Sequence, residues 1–360
     1  MHTVDLKRFI RQADAAALPR AAPGAGLWRE DGAVMTQTDQ APPPDPREAA
    51  RTRLRALLGC DGPGALAPAA RLVGPASPVP GPDAGPEAQA PGEPAAAQVA
   101  PEDRDPFPAL LQRPAPGRAS GAAVVLVPGH GEGMRALVGE SDAYHGAIAR
   151  RLVERGVAVL VPEMISFGQR RTPPAPGAAP YGPAESSCAV DAARYLLHGS
   201  PVLGARVADA SAAVSALRSQ ADVDADRVGV VGGSGGGAVA LLLAALDTRL
   251  RAAMVANFFS SFASSIAALP HCPCNVVPGL LPAFEMAEIA ALVAPRSLVL
   301  EAGEADPLFP IAAARASFTR LEADREGARD VGRGARLVVT DAGHRLVGEE
   351  SVDLLMDALG

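Results

Sequence analysis

Short apolar runs alternate with amphipathic stretches from residue 121 to the end of the chain. The apolar runs are rich in Val, Leu and Ala, and they predict buried strands at 124–127, 157–161, 227–231, 252–256, 297–301 and 336–340. The stretches around them predict helices at 143–154, 189–197, 207–219, 238–246, 285–292, 311–322 and 352–359. This alternation favours an α/β fold, in which a mostly parallel sheet carries helices on both faces.

The first third of the chain has a different pattern. Residues 47–58 carry apolar side chains at helical spacing and predict one amphipathic helix. Residues 61–105 are dominated by Pro, Ala, Gly and Glu, and such a stretch buries too little apolar surface to offset its ordering entropy. We therefore predict a loop or disordered linker there, a Pro/Ala-rich N-terminal extension over 1–117, and a catalytic domain over 118–360.

Composition narrows the class of protein. The net charge of −7 argues against a nucleic-acid partner or an anionic membrane surface. No apolar stretch reaches the ~18 residues that a spanning helix needs, and no apolar region of a signal peptide follows the first residues. Four scattered cysteines do not form a disulfide framework, so we expect a reduced, cytoplasmic protein.

The pentapeptide Gly232–Gly236 has the pattern G-x-S-x-G, with Ser234 at its centre. It follows a predicted strand and precedes a predicted helix, which is the context of a nucleophile elbow. In such an elbow the serine lies on a sharp turn, and side chains two residues before and after it would collide, so glycine is needed there. A Walker-type phosphate loop would need a Lys-Ser/Thr pair after the glycines, which the sequence lacks.

A serine hydroxyl needs a base within hydrogen-bond reach, and elbow enzymes carry the order Ser, Asp/Glu, His along the chain. Asp306 follows the strand at 297–301, and His344 follows the last strand at 336–340. We predict that His344 accepts the Ser234 proton and that Asp306 orients the imidazole. Glu301 and Glu304 are neighbouring acidic alternatives, although Glu301 should lie inside the strand.

The negative charge of a tetrahedral intermediate needs backbone N–H donors. One predicted donor is the amide of Gly235, the residue after the serine. The second is expected in the Gly-rich loop after the strand at 124–127, where we favour the amide of His130 with Gly131 as the alternative.

Two further polar groups are predicted to be structural. His271, Cys272 and Cys274 lie close together, but no second pair of metal ligands follows, so we predict a rigid loop capping the site and no metal. Glu163 and the arginines at 170–171 flank a turn, and we expect them to pair with one another at the surface, although they could instead orient a polar substrate.

Beyond the elbow, the chain resembles bacterial α/β-hydrolases of the dienelactone hydrolase / acetyl xylan esterase-like group over roughly residues 120 to 350. The matching segments, besides Ser234, are 245–249, 271–275, 278–281, 285–286 and 294–296. The resemblance implies an α/β-hydrolase fold and ester hydrolysis without a metal or other cofactor, with a triad at Ser234, Asp306 and His344. True dienelactone hydrolases use a cysteine nucleophile, so Ser234 favours the esterase side of the group.

These observations predict a serine-dependent carboxylic ester hydrolase that acts through an acyl-enzyme on a small ester, with acetylated sugars and lactones as candidates. The expected partner is that small-molecule substrate, and the sequence leaves the oligomeric state open. Two alternatives remain: a peptidase of the same fold, and a catalytically inactive hydrolase fold that serves as a binding module.

Overall fold

A computed structural model describes residues 45–62, 65–74, 92–131, 133–139, 144–281, 283–326 and 334–360. Residues Pro46–Gly360 form one compact unit. Its centre is a nine-stranded sheet of the described residues, in the order β1-β2-β3-β5-β4-β6-β7-β8-β9. The chain therefore has the predicted α/β fold with a large, mostly parallel sheet.

The first three strands form the antiparallel edge of this sheet. They span Ala70–Val73 (β1), Ala95–Pro101 (β2) and Phe107–Gln112 (β3), and β3 pairs antiparallel with β5, Ala158–Pro162. The prediction of an unstructured linker over 61–105 is thus wrong for β1 and β2. The short β1 and the alanine-rich β2 give a weak strand signal, but β2 pairs with β1 on one side and with β3 on the other, and this pairing stabilises both. The predicted boundary at 117/118 falls inside this single sheet.

The remaining strands run parallel to one another from β5 onwards. They span Ala123–Val127 (β4), Val228–Gly233 (β6), Ala252–Ala256 (β7), Ser297–Gly303 (β8) and Ala335–Thr340 (β9), each within two residues of its predicted bounds. Because the carboxyl ends of parallel strands lie at one edge of the sheet, the loops after β4, β6, β8 and β9 meet there.

Helices cover both faces of the sheet. They span Pro46–Leu58 (α1), Met134–Leu137 (α2), Ile148–Glu154 (α3), Cys188–Leu197 (α4), Val202–Arg218 (α5), Gly235–Leu246 (α6), Met286–Ala291 (α7), Ile311–Glu326 (α8) and Glu349–Leu359 (α9). Helix α6 is apolar around its whole circumference, and all of its residues are buried. It is thus the central helix of the core.

Alternate side chains of β4 show how the core divides. Val125 and Val127 pack with α5 and α6 on one face, whereas Val124 and Leu126 pack with α3 and α9 on the other. This alternation follows from the two-residue period of a strand, and it explains why β4 is apolar at every position.

Helix α1 belongs to the same core, although it was predicted as part of a separate extension. Leu54 and Leu58 are fully buried. The buried Arg51 donates hydrogen bonds to the carbonyl of Ala245 (3.1 Å) and that of Leu292 (2.9 Å), at the C-terminal ends of α6 and α7. Carbonyls at helix ends lack intrahelical donors, so this arginine caps two helices at once.

Two predicted helix starts differ from the structure by five residues. The helix predicted over 143–154 begins at Ile148, because Gly146 and Ala147 adopt positive φ angles of 57° and 51°. Residue 143, where the predicted helix starts, lies outside the described residues. The helix predicted over 207–219 begins five residues earlier, at Val202 directly after Pro201. A proline immediately before a helix costs no hydrogen bond, since the first helical amides are unpaired in any case.

In the described part of the chain, no helix combines the length and apolarity needed to cross a membrane.

Candidate active site

Ser234 lies on the sharp turn between β6 and α6, with φ 53° and ψ −122°. A Cβ atom on Gly232 would lie 2.2 Å from the carbonyl oxygen of Gly236, and a Cβ on Gly236 would lie 2.2 Å from that of Val127. Both neighbours are backbone atoms that cannot rotate away, so only glycine fits at the two positions. The elbow geometry predicted from the sequence is therefore present, and it holds the serine at the carboxyl edge of the sheet.

The structure brings Ser234, His344 and Asp306 together. The His344 Nε2 atom is 3.0 Å from the Ser234 Oγ atom, and the His344 Nδ1 atom is 2.8 Å from the Asp306 Oδ2 atom. The histidine is separated from the serine by 110 positions in the sequence. With Nδ1 protonated and donating to Asp306, Nε2 has a free lone pair that can accept the serine proton.

Asp306 is held by donors on both carboxylate oxygens. Its Oδ1 atom accepts from the amides of Leu308 (2.8 Å) and Phe309 (3.1 Å), and its Oδ2 atom also accepts from the Asn257 side chain (3.3 Å). Burial opposes ionisation, but the hydrogen bonds from His344 and from the two amides lower the pKa of Asp306 below its ordinary value. The carboxylate is therefore the stable form beside the imidazole.

The two acidic alternatives to Asp306 lie elsewhere. Glu304 is exposed and pairs with Arg315 at 2.7 Å. Glu301 is buried inside β8, as predicted, and accepts from the amides of Val347 (2.7 Å) and Gly348 (2.8 Å) and from the Ser351 hydroxyl. It thereby ties the loop that carries His344 to the central sheet.

The residues that carry the predicted oxyanion donors, Gly235 and His130, lie next to each other. Gly235 is the first residue of α6, where an amide has no intrahelical acceptor. A Cβ on this glycine would lie 2.6 Å from the Nδ1 atom of His130, so the loop after β4 packs directly on the elbow. In the described residues the His130 amide has no hydrogen-bond acceptor, and Gly131, the alternative donor, has φ 136°.

A cavity of about 450 Å³ opens over Ser234 and His344. His271 contributes to its wall and is fixed by a 3.2 Å contact between its Nε2 atom and the Leu308 carbonyl. The Tyr144 ring also lines the cavity, with its centroid 5.2 Å from that of His344. Tyr144 lies within the helix predicted over 143–154, a prediction that gives no reason to place its ring in the site; in the structure it precedes the helix.

The hydroxyl of Tyr144 is buried, and its interaction with the Ser234 side chain falls short of hydrogen-bond geometry. Burial raises the pKa of Tyr144 well above its ordinary value, so the phenol remains a protonated donor. Buried polar atoms in proteins are nearly always paired, and an unpaired donor in a cavity beside a nucleophile is available to a bound molecule.

Four possible metal ligands lie beside this cavity. The side chains of His130, Cys188, Cys272 and Cys274 place their ligand atoms within 4.8 Å of one another in the described part of the chain. The sequence predicts no metal, because no second pair of ligands lies near Cys272 and Cys274 along the chain. Here the other two ligands come from the loop after β4 and from the first residue of α4, which sequence spacing does not reveal.

The prediction that Glu163 pairs with the arginines at 170–171 on the surface is wrong. Glu163 is only 1% exposed, and its carboxylate accepts from the amides of Met134 (3.0 Å) and Gln169 (3.2 Å). Arg170 instead pairs with the buried Asp209 at 2.7 Å. Burial raises the pKa of Glu163, although the two amides oppose the shift. It holds the residues that follow the loop after β4.

These features define an α/β-hydrolase: a mostly parallel sheet, a serine on a glycine-flanked elbow after β6, an acid after β8 and a histidine after β9. The chain belongs to the dienelactone hydrolase family, whose sequence model matches residues 115–318, more than half of its length. Family membership and fold both agree with the resemblance seen in the sequence.

A curated relative is YtaP of Bacillus subtilis (strain 168), which is named as a hydrolase. It is 28% identical over 207 residues, which cover 54% of this chain and 64% of that protein, slightly less than two thirds of its length.

Solved structures with the same fold include an acetyl xylan esterase from Bacteroides fragilis NCTC 9343, with a TM-score of 0.58 and 16% identity over 82% of this chain and 74% of that one. Acetyl Xylan Esterase 1 from Thermoanaerobacterium sp. JW/SL YS485 has a TM-score of 0.55 and 15% identity over 89% and 95% of the two chains. A glucuronoyl esterase from Caldicellulosiruptor kristjansonii has a TM-score of 0.54 and 18% identity over 96% and 91%. At these identities the likeness concerns the fold.

Proposed function

We propose that this chain is a serine-dependent carboxylic ester hydrolase. The observation that carries the proposal is the hydrogen-bonded line from Asp306 through His344 to Ser234, with donor–acceptor distances of 2.8 and 3.0 Å. Membership of the dienelactone hydrolase family supports the same reaction class.

In the first half of the proposed reaction, His344 Nε2 accepts the proton of Ser234 as the Oγ atom attacks the ester carbonyl. The negative charge that forms on the carbonyl oxygen is stabilised by the amides of Gly235 and His130. The imidazolium, stabilised by the Asp306 carboxylate, then gives its proton to the departing alcohol and leaves an acyl group on Ser234.

In the second half, a water molecule takes the place of the alcohol. His344 removes a proton from this water, which attacks the acyl-serine, and the acid is released as the serine regains its proton. The reaction balances with these side chains, the amides and the one water molecule, so the proposed hydrolysis includes no redox or cofactor step.

The cavity favours a small substrate. Its volume of about 450 Å³ falls in the range of sites for small molecules, and its wall combines the phenol of Tyr144 with aromatic and imidazole rings. Several structures of the same fold are named as acetyl xylan or glucuronoyl esterases, so acetylated sugars are the first esters to test, with lactones second.

The first test is hydrolysis of p-nitrophenyl acetate by the wild type and by Ser234→Ala, with the exposed Ser264→Ala as a matched control. We expect kcat to fall by about 10⁴-fold or more in Ser234→Ala and to stay unchanged in Ser264→Ala. Full activity in Ser234→Ala would exclude the proposed nucleophile.

A fluorophosphonate probe should also label the wild type at Ser234 and leave Ser234→Ala unlabelled. A folded wild type that neither reacts with the probe nor hydrolyses any ester of the panel would favour the binding-module hypothesis.

A further inference from the structure

We propose that His130, Cys188, Cys272 and Cys274 together bind one zinc ion at the wall of the active-site cavity. The ligands come from three separate segments: the loop after β4, the start of α4, and the loop between β7 and α7. A Cys₃His set is a common donor set of structural zinc sites.

The spacing of the four ligand atoms fits a tetrahedral ion. Zinc–sulfur bonds of about 2.3 Å place two tetrahedral sulfurs about 3.8 Å apart, and an imidazole nitrogen about 3.6 Å from a sulfur. All four atoms lie within 4.8 Å of one another. The His130 Nε2 and Cys274 Sγ atoms are 2.9 Å apart, so these two side chains need to separate by several tenths of an ångström to admit the ion.

A buried arginine supplies the positive charge that such a site needs around it. Arg206 is 1% exposed and donates to the sulfurs of Cys274 and Cys188, each at 3.2 Å. In the described residues no carboxylate pairs with it, and its third contact is the Ile165 carbonyl. A buried guanidinium needs a negative partner, and neutral thiols do not provide one.

The charges balance when zinc is present. Three thiolates, a neutral imidazole and Zn²⁺ carry a net charge of −1, which the guanidinium of Arg206 neutralises. Hydrogen bonds from outer groups to ligand atoms are a regular feature of metal sites, because they orient the ligands and spread their charge. Without the two positive charges of the zinc ion, three thiolates this close together would repel one another, because the single charge of Arg206 does not balance them.

The surroundings also favour thiolates. Cys188 is the first residue of α4, where the helix dipole favours negative charge, and both Cys188 and Cys274 are buried. Cys272, which is half-buried, lies where the site meets the cavity.

The competing outcome for this cluster is a disulfide. Oxidation would join two of the three sulfurs and leave one thiol and His130 without a role, whereas one zinc ion uses all four ligands.

The ion would link the loop that carries His130 to the start of α4 and to the loop between β7 and α7. Its four protein ligands close the coordination sphere, so it would act as a structural tie and not as the hydrolytic centre. The Nδ1 atom of the same histidine faces the elbow at Gly235, so the ion would also set the position of the proposed oxyanion loop.

The test is metal analysis by inductively coupled plasma mass spectrometry on the full chain as purified without added metal. We expect one zinc ion per chain in the wild type. In Cys188→Ser and Cys272→Ser we expect the zinc content to fall to the background of the measurement. Two variants are used because a substitution at the buried position risks misfolding, whereas Cys272 is partly exposed.

The matched control is Cys60→Ser. Cys60 is also buried, but its sulfur contacts the Gly204 carbonyl (3.2 Å) and lies outside the cluster, so this variant should retain full zinc. Ser234→Ala should retain it as well, and this separates the metal site from the proposed esterase activity. Exchange of zinc for Co²⁺ should produce the intense visible absorption of tetrahedral thiolate coordination.

Two results would overturn the proposal. One is a folded wild type that contains no metal as purified and takes up neither zinc nor cobalt after reduction; a loss of two hydrogens by intact mass would then identify a disulfide in its place. The other is full zinc content in folded Cys188→Ser and Cys272→Ser.

Discussion

At the residue scale, the site depends on whether a few buried polar atoms have hydrogen-bond partners. Asp306 has hydrogen-bond donors on both oxygens, whereas the buried hydroxyl of Tyr144 has no hydrogen-bond partner in the described residues. A satisfied carboxylate keeps the imidazole in one tautomer, and an unpaired donor costs stability unless a ligand uses it.

Tyr144→Phe should separate activity from stability. The phenol hydroxyl contributes no hydrogen bond to the described structure, so we expect the melting temperature to stay the same or rise. If this hydroxyl contacts the substrate or the oxyanion, kcat/KM should fall by about 10²-fold. Wild-type kinetics with p-nitrophenyl acetate and with acetylated sugars would exclude that contact.

Asp306→Asn should lower kcat by about 10⁴-fold, because an amide favours the wrong imidazole tautomer. The pKa of Asp306 is lowered in the native state, so its contribution to stability is present above the ordinary value of 3.8 and is lost as the pH falls through the lowered value. The stability difference between wild type and variant should therefore shrink on acidification, as urea unfolding from about pH 6 to about pH 3 would show.

Glu304→Gln serves as the control for Asp306→Asn, since its exposed ion pair should matter little for stability or rate. A difference between wild type and Asp306→Asn that does not change with pH would contradict the assigned direction of the shift.

At the element scale, the loops that carry the candidate catalytic residues are held by buried side chains from neighbouring strands. Glu301 in β8 holds the loop after β9, and Glu163 after β5 holds the residues that follow the loop after β4. Two buried carboxylates therefore anchor two segments of the site through backbone amides. This arrangement lets loops keep fixed positions without secondary structure of their own.

Glu301→Gln should loosen the loop that carries His344. The amide group of glutamine keeps one acceptor oxygen but turns an NH₂ group towards donors, so about 2–3 kcal/mol of unfolding free energy should be lost. We expect kcat to fall while the pH profile keeps its shape, because the catalytic groups are unchanged. Stability and kcat equal to those of the wild type would show that the hydrogen bonds of Glu301 do not position the loop.

At the scale of the whole molecule, the antiparallel strands β1–β3 and helix α1 complete the same core as the parallel strands. Leu54, Val99 and Phe107 are buried in the cluster that also contains α5 and α6. The part of the chain predicted as a linker thus closes one edge of the sheet.

A shortened chain that begins at Arg118 should therefore aggregate, because it exposes the edge of β5 and the apolar surface under α1. A chain that begins at Pro46 contains the whole compact unit and should remain folded. Size-exclusion chromatography and circular dichroism compare the two. A fragment from Arg118 that is monomeric and active would support the domain boundary predicted from the sequence at 117/118.

The sequence by itself determined the features that depend on local chemistry. Short continuous apolar runs indicated the parallel strands. The glycines around Ser234 indicated the elbow, since steric limits act within a few residues. The order of Ser234, Asp306 and His344 along the strands was enough to predict that they meet, because parallel strands end at one edge.

Only the tertiary structure decided the features in which distant segments meet. The strands of the N-terminal edge have weak local propensity and are stabilised by pairing. Glu163 is buried because the amides of Met134 and Gln169 donate hydrogen bonds to its carboxylate. Tyr144 reaches the cavity from an irregular segment. The Cys₃His cluster is assembled from three segments up to 144 positions apart. Sequence spacing cannot reveal such sets, because the folded backbone and not the distance along the chain brings their atoms together.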